Sequence, residues 1–132
     1  MSRRMIQVSD DSCTIERRRF VFQLQRVVIS TECVRELRKR RGDWVLHRET
    51  PCAEWAEARI ESFYGAPEVS PSHSLGLVHV SGKRRRRIML AQVVGGMNVP
   101  PEFEKARSKI NELLRRHRNG PPGNPRTRKS GR

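Results

Sequence analysis

Apolar and polar positions alternate as the chain runs to Gln25: Phe20, Phe22 and Leu24 alternate with Gln23 and Gln25. This is the period of a half-buried strand. The phase slips at Arg26, after which Val27 and Ile29 face the other way, as a bulge would produce. Ser30 and Thr31 then offer helix N-caps, with Glu32 in the first turn, and Cys33, Val34 and Leu37 fall inward on a predicted helix ending near Arg41. Gly42 can take the left-handed conformation that stops it. Thr50-Pro51 predicts a second helix start, followed by a stripe of Cys52, Ala56, Ile60 and Phe63 and a stop at Gly65. Glu54, Glu57 and Glu61 fall on its solvent side, so this helix is assigned to packing. A second strand is predicted over Ser74–Ser81, a turn at Gly82-Lys83, and a third strand from about Arg84 to Val94, ended by Gly95-Gly96. Pro101 opens a last helix whose stripe of Phe103, Ala106, Ile110, Leu113, Leu114 and His117 is the strongest periodic signal in the chain.

The predicted order is β-α-α-β-β-α, an α+β fold with a small antiparallel sheet covered by helices on one face. Three strands are too few to stand alone with one face wet, so the sheet is expected to extend across a homodimer, which would also hide an edge. Residues 1–16 are polar and aperiodic and are expected to form a flexible arm, residues 17–117 the domain. Residues 118–132 hold no anchoring apolar residue and are expected to be a disordered basic tail.

Charge adds the partner. The 132 residues carry 28 Lys plus Arg against 14 Asp plus Glu, a net charge of +14. Such an excess points to a polyanion, either nucleic acid or an anionic membrane surface. No apolar run approaches the ~20 residues of a membrane span, and no helix combines a basic face with apolar aromatics, so a membrane partner is disfavoured. Three cysteines at wide spacings are expected to be reduced thiols, with Cys33 and Cys52 facing the core. No metal, cofactor or small-molecule substrate is expected. Motifs of serine hydrolases, zinc proteases and phosphate loops are missing; Gly95-Gly96 lacks the further glycines and the Lys-Ser/Thr of a phosphate loop. The chain is therefore read as a non-enzyme.

The basic groups form three clusters: Arg17 to Arg19 with Arg26, Arg38 to Arg41, and Lys83 to Arg87. Strand alternation puts Arg85 and Arg87 on the open sheet face with Gln23 and Gln25. A polar, basic face of that kind suits the phosphates and 2′-hydroxyls of duplex RNA. Single-strand platforms show exposed aromatics on the sheet, and none is expected here because Phe20 and Phe22 read as core. Arg38 to Arg41 read equally as a solvated helix end. Trp44 stands in a polar stretch and is open between stacking on a terminal base pair and packing; Trp55 reads as core. The expected RNA-binding residues are Arg18, Gln23, Gln25, Arg26, Arg40, Trp44, Lys83, Arg85 and Arg87.

Three segments, ARIESFYG (Ala58–Gly65), VVGG (Val93–Gly96) and KARSKINELL (Lys105–Leu114), resemble in order and spacing the small RNA-silencing suppressors of the tombusvirus family. Size and charge are closer to its shorter aureusvirus branch. The resemblance implies a homodimer with a continuous concave sheet that sequesters double-stranded RNA, including small interfering RNA, without reading sequence. It also implies action in the host cell, in the cytoplasm with the nucleus as a second compartment. The tryptophan-bearing N-terminal helix with which the longer members measure duplex length has no counterpart, so no sharp length preference is expected. The alternative is a structural ribonucleoprotein component, such as a small basic ribosomal protein.

Overall fold

The computed structural model describes residues 4–20, 23–65, 71–83, 86–96 and 98–119. Strands β1 (Arg4–Val8), β2 (Ser12–Phe20), β3 (Gln23–Ser30), β4 (Cys33–Arg40) and β5 (Asp43–Pro51) form an antiparallel meander of five strands in chain order. A short 3-10 turn, Cys52–Glu54, leads into β6 (Trp55–Phe63), which pairs with β7 (Ser72–His79) and then β8 (Ile88–Val94) in a three-stranded antiparallel sheet. One helix, α1 (Pro101–Asn119), follows. The described residues thus form two sheets and a helix, not the expected β-α-α-β-β-α α+β layout.

Both misplaced helices fail for identifiable reasons. Around β4, the presumed cap residue closes a hairpin: Ser30 Oγ accepts from the backbone N–H of Glu32 at 3.2 Å and of Cys33 at 3.3 Å. Short polar side chains cap turns as readily as helices. At the other end, Arg41 (φ 50°) and Gly42 (φ 86°) form a two-residue hairpin turn with positive φ at both positions. Gly42 is left-handed as expected, but in a turn between strands. The stripe Cys52, Ala56, Ile60 has a spacing of four, which is also a multiple of the strand period. In β6 a bulge between Trp55 and Glu57 resets the phase, so that Trp55, Ala58 and Ile60 point inward while Phe63 is 62 % exposed. Thr50 accepts from Trp55 Nε1 at 3.0 Å, a bond that fixes the indole and not a helix start.

Elsewhere the pattern holds. The second and third strands appear as β7 and a shortened β8, and Gly95 (φ 100°) follows β8 directly. Phe103, Ala106, Ile110, Leu113 and Leu114 of α1 are all buried. The expected arm, residues 1–16, instead contains β1 and the start of β2. In β3 the inward residues are Gln25, Val27 and Ile29 in one phase, so Leu24 lies on the face opposite to that expected. The basic tail, apart from the helix end, and the side chains of Phe20 and Phe22 lie outside the described residues.

The core lies where the two sheets and α1 meet. From the five-stranded sheet come Cys13, Ile15, Val27, Ile29 and Val34; from the other, Ala58, Leu75, Leu77, Ile88, Leu90 and Ala91. Each fully buried aliphatic side chain contributes roughly 1.5–3 kcal/mol through removal from water. α1 packs chiefly on β6 and reaches β1, β2 and β3, while β2 meets β8. The outer edge of β6 is occupied by the helix: Asn111 Oδ1 accepts from Ala58 N–H at 2.7 Å and Nδ2 donates to Ala58 C=O at 3.2 Å. An amide side chain thus stands in for a neighbouring strand at one position.

Candidate nucleic-acid interface

Register divides the five-stranded sheet into two faces. Glu16 pairs with Arg26, Arg26 with Leu37, Leu37 with Leu46, and Lys39 with Trp44, so these residues share the face turned away from α1. Leu24, Val28 and Leu37 are half-buried there, Leu46 is exposed, and Arg18, Arg35 and Lys39 stand around them. At its centre the Arg26 guanidinium carbon sits 4.1 Å from the Trp44 ring centroid, with Lys39 Nζ 5.7 Å away. Arg26 is held there by Glu16 Oε2, which accepts from Nε at 3.0 Å and from Nη2 at 2.7 Å. A guanidinium fixed on an indole presents a planar cation to which a base can stack. Arg35 donates to Glu49 Oε1 at 3.2 Å, an exposed pair of little energetic weight that competing phosphate can open.

The opposite face carries the core at one end and charge at the other. Beyond Ile15, Val27 and Val34, the same strands present Arg17, Gln25, Glu36 and Arg38, joined by Arg48 of β5. These residues, with Arg86 and Arg87 from the approach to β8 and Ile88 and Met89 at its start, line a cleft of about 360 Å³. Arg87 is anchored from beneath: Nη1 donates to Glu61 Oε1 at 2.6 Å, and the side chain crosses Gly76. A Cβ at Gly76 would stand 3.6 Å from Arg87 Cδ and 3.4 Å from the Ile88 carbonyl oxygen, ordinary van der Waals contact, so the Arg87 side chain lies directly over this position.

The expected RNA-binding residues therefore separate into two groups. Arg18, Arg26 and Trp44 share the outward face of the five-stranded sheet. Gln25 and Arg87 line the cleft on the other side; Gln23 and Arg40 follow the cleft-side alternation of their strands. Gln25 is 4 % exposed, which corrects its placement on an open face. Lys83 is exposed in the β7–β8 connection, with its N–H donating to Ser81 Oγ at 3.2 Å. Arg85 lies outside the described residues. Expectation from the sequence missed Lys39 and Leu46 on the outward face, and Glu36, Arg48 and Arg86 in the cleft. The signal was present in the alternation Val34, Glu36, Arg38 against Arg35, Leu37, Lys39, hidden by the helical reading.

Among the described residues no cluster of three or more His, Cys, Asp or Glu is placed to hold a metal ion, and no helix is long and apolar enough to cross a membrane. Set beside protein-family models, curated proteins and solved structures, the chain matches none. Of the three segments that resemble tombusvirus-family suppressors, Val93–Gly96 does end a strand and Lys105–Leu114 is helical. Ala58–Phe63, expected at the end of a central helix, is strand β6.

Proposed function

We propose that the protein binds RNA without catalysis, through the outward face of its five-stranded sheet, and that unpaired strand is its preferred form. The observation that carries this reading is the Trp44–Arg26 stack at the centre of a sheet face bordered by Arg18, Arg35 and Lys39. The expectation of duplex RNA rested on a sheet without exposed aromatics, and Trp44, half-buried beneath Arg26, puts an aromatic on this face. A stacking platform ringed by cations is how single strands are held without sequence reading. The net charge of +14 adds a long-range attraction for any polyphosphate.

Titration with a single-stranded RNA, the corresponding RNA duplex and the corresponding DNA duplex, each at two salt concentrations, tests the proposal. The single strand binds most tightly, and Trp44→Ala weakens it by roughly 1–3 kcal/mol with little change in salt slope. Arg18→Ala combined with Lys39→Ala lowers that slope, by about one or slightly less for each phosphate no longer neutralised. A marked preference for the RNA duplex would return the reading to duplex sequestration and, with it, to suppression of silencing. Equal binding of all three, unaffected by Trp44→Ala, would leave charge alone and favour a ribonucleoprotein component.

A further inference from the structure

The cleft holds a contradiction in a chain so rich in donors. Gln25 is 4 % exposed and Glu36 is 7 % exposed, yet neither Gln25 Oε1 nor Glu36 Oε2 receives a hydrogen bond. Glu36 Oε2 is ion-paired with Arg48 Nε at 3.8 Å, a separation beyond hydrogen-bond reach. Val27 faces Glu36 and Gln25 faces Arg38, so the two unmet acceptors are diagonal neighbours on one face, directed into the cleft. Buried acceptors without partners are rare, and these stand among arginines. Phosphate alone would satisfy the arginines and leave both acceptors unmet. The fitting ligand carries adjacent N–H donors at one end and an anion at the other.

We propose that this cleft binds a guanine nucleotide. Guanine places N1–H beside the N2 amino group, two adjacent donors for Glu36 Oε2 and Gln25 Oε1. Adenine and cytosine each set one amino group beside an acceptor nitrogen, and uracil sets one N–H between two carbonyls; all three oppose lone pairs to the cleft floor. Met89, 39 % exposed at the rim, gives the base an apolar wall, and Arg38, Arg48 and Arg86 surround the position of the phosphate. The volume of about 360 Å³ lies at the lower end of ligand sites, which run from roughly 300 to 1,000 Å³. The cleft is on the face opposite the Trp44–Arg26 platform, so this inference and the RNA-binding proposal fail independently.

The experiment is a calorimetric titration of the full chain with GMP, AMP, CMP, UMP and guanosine, repeated with saturating oligouridylate on the protein. GMP binds roughly tenfold or more tightly than AMP, the discrimination of a well-placed donor–acceptor pair. Guanosine binds more weakly than GMP, and oligouridylate does not displace GMP. Glu36→Gln removes the preference for guanine; should that variant not fold, Gln25→Met, close in volume, reports on the second acceptor. Equal affinity for GMP and AMP, displacement by oligouridylate, or a guanine preference unchanged in a folded variant overturns the assignment. Two RNAs ending in 5′-phosphoguanosine or 5′-phosphouridine distinguish the sources. A preference for the guanosine end makes the ligand an RNA terminus; GMP preference without it makes the ligand the free nucleotide.

Discussion

The inner face of the five-stranded sheet is made by the same strands along its whole length, yet its two ends have opposite chemistry. Under α1 it presents Cys13, Ile15, Val27, Ile29 and Val34, none more than 2 % exposed. Past the reach of the helix it presents Arg17, Gln25, Glu36, Arg38 and Arg48 around a cleft. The pairing of β3 with β4 continues in one register across the border, so pairing alone does not decide what a strand residue is for. What lies across from it does: the apolar end meets Phe103, Ile110 and Leu113, and the charged end meets the approach to β8.

Truncation separates the two ends most strongly. Leu113 is fully buried in the cluster shared by both sheets. Leu113→Ala removes its transfer energy and leaves a cavity, a loss of about 2–5 kcal/mol. Arg38→Ala at the open end changes stability by only about 0.5 kcal/mol, as partly exposed substitutions away from the core do. Denaturant unfolding of both variants checks the contrast. Similar midpoints would mean that the helix does not carry the core, and the division of this face would lose its basis.

How much of this the sequence announces differs along the same border. The stripe of α1 is legible because 19 residues of 3.6-residue period suit no other element. Gly95-Gly96 and Gly42 are legible as stops, because positive φ is needed at Gly42 and Gly95. The strands β4, β5 and β6 are not legible. Cys33, Val34 and Leu37 match a helix as well as a strand, and WAEARIESF is rich in helix formers held extended by β7 on one side and α1 on the other. The site suffers with them. Once β4 is read as a helix, Glu36 and Arg38 cannot be placed beside Gln25, and the cleft disappears from view.

A smaller effect sharpens the role of α1 as a cover. Asn111 makes two hydrogen bonds to the backbone of Ala58, on the edge of β6 that no strand occupies among the described residues. Asn111→Ala leaves a partly buried N–H and C=O without partners, which costs about 1–3 kcal/mol. Amide exchange at Ala58 reports it separately from global stability. An increase there beyond that of neighbouring β6 amides is the expected result; unchanged exchange would show that the side chain does not seal the edge.

The smallest effect reads the cover through sulfur chemistry. Burial pushes the Cys13 thiol up to about 11 from an ordinary 9.0, against a lesser opposing pull from Lys109. Burial likewise pushes Cys52 up to about 11, helped by Cys33 and Glu32, and its Sγ donates to the Ser30 carbonyl at 3.1 Å. Cys33 is only half-buried. A thiol whose folded pKa is raised binds its proton more tightly in the native state. Its contribution is therefore complete below pH 9 and is lost as pH climbs toward about 11. Alkylation near neutral pH modifies Cys33 first and reaches Cys13 and Cys52 only on unfolding or in strong alkali. Equal rates for all three in the native protein would mean that the covered end opens as readily as the charged end, and the comparison between them would fail.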